Sequence, residues 1–186
     1  ITLVCIICAD LSLNFPDFRA SEQTFQILAQ VAGRAGRGTV PGRVVLQTYS
    51  PDHFSITTAK SQNYSQFYHQ EIVFRKALDY PPFSKMIQLK IFGKDLKKTK
   101  NHAILTGERC KEILASEPML SNHIVLLGPV EAPLSKISGY YRWQILLKGS
   151  KINLLHRLVQ KLLFDDPTLL TNGSVTIAID VDPVFM

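Results

Sequence analysis

Cysteine is scarce in this chain, with three in 186 residues, at positions 5, 8 and 110. A disulfide scaffold needs several paired cysteines, which this number excludes. A structural zinc site needs four ligands, and Cys5 and Cys8 have no second pair to join them. Residues three apart on a strand also face opposite sides of a sheet, so both are read as small buried strand residues in a reducing compartment, with no metal site. No apolar run approaches the roughly 18 residues of a membrane-spanning helix, and no basic, apolar and small-residue leader is seen. The expected location is the cytoplasm, away from membranes. The phosphate-cradling loop GxxxxGKS/T is missing, and so are internal repeats. Histidines 53, 69, 102, 123 and 156 lack HxxxH spacing and nearby paired carboxylates, and are read as surface or helix-end residues rather than ligands.

What is present is a chain that is 46% hydrophobic, enough for a buried core, at a length of one to two domains. It opens ITLVCIIC, an apolar strand-like run without an initiator Met, and is read as the tail of a longer protein. The net charge of +6 is unevenly spread: residues 1–50 hold four Arg and no Lys against three acids, whereas residues 51–186 hold 17 basic and 12 acidic groups. The densest basic stretch, KMIQLKIFGKDLKKTK at 85–100, carries six lysines and one acid. Lys85, Lys90, Lys94, Lys97 and Lys98 suit a surface that tracks phosphates. Lysines on a solvated strand edge that discourage edge pairing would look the same.

The pattern predicts a strand at 2–8, a helix over about 21–35 and a strand at 43–49, an alternation that fits a parallel α/β layer. SPDHF then predicts a new helix, with Ser50 as N-cap and Pro51 in the first turn, continuing through NYSQFYHQEIVFRKAL to a stop at YPPF. After it, Ile87, Leu89 and Ile91 alternate with polar residues, predicting a half-buried strand. A helix follows with Leu96, Ala103, Gly107, Cys110 and Leu114 on one stripe. HIVLLG (123–128) reads as a strand, EAPLSKISG as a loop, and YYRWQILLK as a strand with Trp143 facing the core. SKINLLHRLVQKLLF reads as an amphipathic helix and SVTIAIDVD as a last strand, with Asp180 and Asp182 toward solvent. The order is β-α-β-β-α-β, the split βαβ plan of a ferredoxin-like antiparallel sheet with two helices on one face. The domain boundary is placed between 50 and 84, with 51–84 a helical connector and 85–186 a C-terminal domain.

One short stretch carries chemistry. In QVAGRAGRG (30–38), Gln30, Arg34 and Arg37 stand at i, i+4 and i+7, on one face at the end of a helix closed by Gly33, Gly36 and Gly38. Paired guanidinium groups on a glycine-flanked helix end suit a nucleotide γ-phosphate held by other residues. A glycine turn with solvated arginines fits the spacing equally.

QVAGRAGRG resembles motif VI of the superfamily 2 helicases. ADLSLNFPDFRASEQTF before it, and PGRVVLQTYSPDHF, LDYPPF, GPVEAPLSKISGYYRWQILLK and IDVDP after it, resemble the C-terminal third of the primosomal protein N′ family of replication restart helicases. The resemblance runs from end to end. It implies that residues 1–50 end the second RecA-like lobe, with Gln30, Arg34 and Arg37 facing ATP across the interlobe cleft. It also implies that Asp10, Leu11 and Asn14, with Gly33, couple the nucleotide to DNA. The function it implies is ATP-driven 3′ to 5′ unwinding at stalled or branched forks, followed by primosome assembly. ATP and Mg would serve the complete enzyme, and zinc an upstream insertion. The Walker A loop, the DExH box and that insertion are not in these residues, so the chain alone is expected neither to hydrolyse ATP nor to bind zinc. The implied partners are branched and single-stranded DNA, single-stranded DNA-binding protein and other primosome proteins, for a monomer associated with the nucleoid.

In the C-terminal domain, Arg142 on the polar face of the Trp143 strand is read as a contact to single-stranded DNA. Lys148, Lys151 and Arg157 would form a basic rim for an acidic partner tail, or a solvated helix face. The alternatives from other classes are a non-enzymatic nucleic-acid-binding module and a protein-docking platform.

Overall fold

The computed structural model describes residues 2–36, 42–165, 169 and 171–184. The chain forms two compact units, Ile1–Asp79 and Tyr80–Met186.

In the first unit, β1 (Leu3–Ile6) and β2 (Arg43–Leu46) pair in parallel, Leu3 opposite Arg43, and α1 (Ala20–Ala32) lies between them in sequence. Parallel pairing needs such a crossover because the second strand must start where the first began. Helix α1 buries Ala20, Thr24, Phe25 and Leu28, the spacing of one helical face. Both strands are shorter than the predicted 2–8 and 43–49. Leu3, Ile7, Val44 and Val45 stay exposed, since parallel strands are ordinarily covered on both faces and two of them cannot cover themselves.

Residues 51–79, expected as a connector, belong to this unit. They form α2 (Phe54–Lys60) and α3 (Tyr64–Ala77), and Ile56, Ala59 and Phe67 share a core with Phe25 and Leu28. Phe67 stacks on Phe25 at 4.4 Å and on Phe54 at 5.6 Å. The helix does not start at Ser50 and Pro51. Its N-cap is His53, whose Nδ1 accepts the Ser55 N–H, while the Ser50 N–H is held by Asp10. It also does not run on into α3: Gln62 takes a φ of 51°, and Asn63 caps the new helix by accepting the Gln66 N–H. Arg75 of α3 donates to Glu71 at 2.8 Å and to Glu22 of α1 at 2.6 Å, tying the two helices. Burial raises the carboxyl pKa of Glu71, and the Arg75 bond works against that rise.

The second unit has β3 (Lys85–Gly93), α4 (Leu96–Ser116), the short α5 (Pro118–Ser121), β4 (Ile124–Ile137), β5 (Tyr140–Gly149), α6 (Ile152–Asp165), β6 (Thr171–Asn172) and β7 (Val175–Val181). The sheet order is β4-β5-β3-β7-β6, all neighbours antiparallel. With β6 set aside, this is the expected β-α-β-β-α-β plan. Ile87, Leu89 and Ile91 stand opposite Leu147, Ile145 and Trp143, and all six are buried with Leu155 and Leu158 of α6.

Three local expectations change. Leu96 is 45% exposed, and the inner stripe of α4 is instead Thr99, His102, Ala103, Thr106, Gly107, Cys110 and Ile113. The polar members are satisfied: Thr99 donates to the Asp95 carbonyl, Thr106 to the His102 carbonyl, and His102 Nε2 lies 2.7 Å from the Leu169 carbonyl. His102 is therefore a core residue, not a surface one. Finally, EAPLSKISG is not a free loop. Through Ile137 it belongs to β4, which shifts register between Leu127 and Val130 and again between Glu131 and Lys136 before closing the hairpin. Gly107 is required by this packing: a Cβ there would lie 2.7 Å from the Pro129 ring.

Candidate functional site

In the first unit the proposed residues fall at two ends of α1. Gln30 and Arg34 are exposed at its C-terminal end, and Arg34 makes no ion pair among the described residues. Gly33 caps the helix with a right-handed φ of −66°, and the left-handed turn falls later, at Gly36 with φ 80°. Arg37 and Gly38 lie outside the described residues.

Asp10, Leu11 and Asn14 sit in the loop after β1, which leads into the other end of α1. The helix has 13 residues, so its own two ends are about 20 Å apart at 1.5 Å per residue. Asp10 is buried and its carboxylate is fully engaged: it accepts the Thr48 hydroxyl at 2.6 Å, the Tyr49 N–H at 2.8 Å and the Ser50 N–H at 3.1 Å. These bonds, the Thr48 hydroxyl foremost, hold the Asp10 carboxyl below its ordinary pKa. Asp10 thus staples the loops that follow β1 and β2, the carboxyl ends of the parallel pair, where ligands gather in parallel sheets. Leu11, 74% exposed, and Asn14, also exposed, are what this loop presents outward. His53 next to the staple has its pKa lowered by burial, against the pull of Asp10.

The CxxC does not form a pair across a strand. Cys5 is exposed on β1, while Cys8 lies beyond its end with φ 54°. Among the described residues no three His, Cys, Asp or Glu side chains converge on a possible metal.

In the second unit the lysine run divides. Lys85 and Lys90 face carboxylates of β7: Lys90 Nζ is 2.6 Å from Asp180, and Lys85 Nζ is 3.9 Å from Asp182. The two aspartates therefore answer lysines, rather than only solvent. Lys94, Lys97 and Lys98 lie at the opposite end of β3 and in the first turn of α4, exposed. There Lys94 stands over the Tyr140 ring at 5.6 Å, Lys136 over Tyr141 at 4.6 Å, and Lys100 over Trp143 at 6.0 Å. Arg142 shares the Tyr140 face of β5, opposite that of Tyr141 and Trp143, and is half-buried and without an ion pair among the described residues. Trp143 is 9% exposed and packs in the core, as its alternation predicts.

The basic rim does not converge. Lys148 alternates with buried Leu147, so it lies on the face without helices, over the Tyr80 ring. Arg157 belongs to α6 on the other face, where it and Lys161 both bind Glu117. Lys151, just before α6, is exposed.

Residues that the sequence reading left out are Thr48, Tyr140, Tyr141, Lys100 and Lys136. The aromatic pair was visible in GYYRW, but only the hairpin brings Lys136 beside it.

A family model described as the Primosomal protein N C-terminal domain matches residues 76–184. Replication restart protein PriA of Bacillus subtilis is 36% identical over 186 residues, which cover 100% of this chain and 22% of that protein. The protein of the same name from Synechocystis is 38% identical over 188 residues, 99% of this chain and 21% of its own length, and that of Chlamydia pneumoniae 36% over 184 residues, 99% and 23%. The chain therefore spans less than a quarter of the length of each of these three relatives. Among solved structures, the de novo designed protein Foldit4 aligns with 52% of this chain and 96% of its own at 16% identity, with a TM-score of 0.33, which carries no argument. The family match extends over more than half of the chain and coincides with the antiparallel unit, and on that ground the chain belongs to the primosomal protein N C-terminal domain family.

Proposed function

We propose that the chain is the C-terminal part of an ATP-dependent 3′ to 5′ DNA helicase that recognises stalled or branched replication forks and restarts replication through primosome assembly. The observation that carries this is the exposed Gln30 and Arg34 at the glycine end of α1, in a chain similar from end to end to proteins named for replication restart. An unpaired guanidinium there fits a finger that reaches a phosphate held by other residues, and such fingers raise phosphoryl-transfer rates on the order of a thousandfold or more. Arg37 is its partner in this reading. The parallel β1-α1-β2 unit supports residues 1–50 as the end of a second RecA-like lobe. Asp10, Leu11, Asn14 and Gly33 would relay between nucleotide and DNA along α1.

ATP and Mg would be held mainly by residues outside this chain, and zinc by an upstream insertion. The second unit would bind DNA and the primosome proteins, including single-stranded DNA-binding protein. No described helix is long and apolar enough to cross a membrane, and a nucleoid-associated cytoplasmic site follows from the proposed substrate.

The test is Arg34→Ala and Arg37→Ala in the full-length protein. DNA-stimulated ATPase should be lost while fork binding is largely kept. Normal ATPase in both variants would sink the proposal. Weakened DNA binding with a shallower salt dependence would favour the non-enzymatic binding module instead.

A further inference from the structure

We infer that the end of the second unit's sheet, where β5 begins, is a binding site for unpaired nucleic-acid bases, with Tyr140 as the stacking platform. The inference rests on the reading of this protein as one that handles DNA, and it names the strand form and the surface.

On the face of the sheet without helices, the Lys94 ammonium stands over the Tyr140 ring and Arg142 pairs with Phe92, whereas Tyr141 and Trp143, under Lys136 and Lys100, belong to the other face. Tyr140 is 39% exposed and is braced edge-on by Phe92, with ring centroids 6.3 Å apart. The bracing fixes the ring plane, which lowers the ordering cost of stacking. Ser138 and Gly139, with φ of 50° and 82°, close the hairpin in two residues, so Lys136 and Tyr141 meet across a tight turn. Lys97, Lys98 and Arg142 add positive charge at the same end. Of the acids nearby, the Asp95 carboxylate accepts the Lys98 N–H as the cap of α4, and Glu131 stands opposite Trp143.

A single strand offers a planar base and a phosphate at each nucleotide, and this face offers the Tyr140 ring with Lys94 and Arg142 beside it. A duplex keeps its base faces inside, so it could use the lysines but not Tyr140. An acidic peptide could likewise use the lysines without needing a flat ring. Lys85 and Lys90, already answered by Asp182 and Asp180, are excluded from the site.

The experiment is fluorescence anisotropy of the 186-residue chain with a labelled oligothymidine, a blunt duplex and an acidic peptide. Tyr140→Ala should weaken oligothymidine binding about tenfold, and Tyr140→Phe should restore it, which separates stacking from misfolding. Lys94→Ala with Arg142→Ala should reduce the salt slope by about 1.4, and Lys85→Ala should leave binding unchanged. Oligothymidine binding that ignores Tyr140→Ala, binding to duplex alone, or Tyr140-dependent capture of the peptide only would each overturn this inference and leave the helicase proposal standing. No binding to either DNA would count against both, and the ATPase test on Arg34 then decides the proposal separately.

Discussion

Asp10 and Thr48, 38 residues apart in the chain, meet at 2.6 Å through a hydroxyl donating to a carboxylate. The Tyr49 and Ser50 N–H groups complete the staple. A carboxyl with a depressed folded-state pKa adds stability above its unfolded value and loses it as pH falls through the folded one. The first unit should therefore weaken below about pH 4. Urea denaturation from pH 3 to 7 should show that decline in the parent protein and a flatter profile, at lower stability, in Asp10→Asn.

Arg75 is the only cation shown bonded to both Glu71 and Glu22 among the described residues. Arg75→Ala would leave Glu71 buried with nothing to oppose the burial that already raises its pKa. Loss of one partner from a buried pair costs about 3 kcal/mol. Since a raised carboxyl pKa opposes folding when the group is ionised, the variant should recover part of that loss as pH falls from 7 to 5. A variant equally weak at both values would show that Glu71 is not the cause.

Gly107 faces the Pro129 ring with no room for a methyl group, a Cβ falling 2.7 Å from Cδ. Alanine would favour the helix by about 1 kcal/mol, but overpacking against a ring costs about 1–3 kcal/mol. Gly107→Ala should lower stability by about 1 kcal/mol, the difference between those figures, and Gly107→Val by more. Chemical denaturation reads both.

Burial pushes the Cys110 thiol up to about 12, while Cys5 is exposed. A thiol reagent at pH 8 should modify Cys5 rapidly and Cys110 only after denaturation, because the thiolate is the reacting form. Prompt modification of Cys110 in the folded chain would mean that α4 opens readily.

The second unit was readable because its strands alternate. Ile87, Leu89 and Ile91, and Trp143, Ile145 and Leu147, each declare one face by a period of two. Helix α4 was harder, because Thr99 and Thr106 bury their hydroxyls by bonding the carbonyl four residues back, a solution that hydropathy does not register. The lysine run read as one patch in sequence, yet Lys90 finds its carboxylate 90 residues away on β7. Only strand order supplies that information. The spacing of Gln30 and Arg34 assumed a helix to about 35, but α1 ends at Ala32 and Gly33 caps it, so Arg34 lies beyond the helix, while the anchoring of Asp10 depends on a segment beyond β2 that no local pattern links to it.

Strand β7, the last of the chain, lies against β3, the first strand of its unit, with Leu89 opposite Ile179. A ribosome making this protein therefore releases β3 long before the neighbour that covers its edge exists. The sheet can close only after synthesis has passed Val181, and until then β3 offers an open edge to other chains. A chain cut short before Val175 would lack an internal strand of the sheet rather than a dispensable tail, so truncation there should be as damaging as substitution in the core.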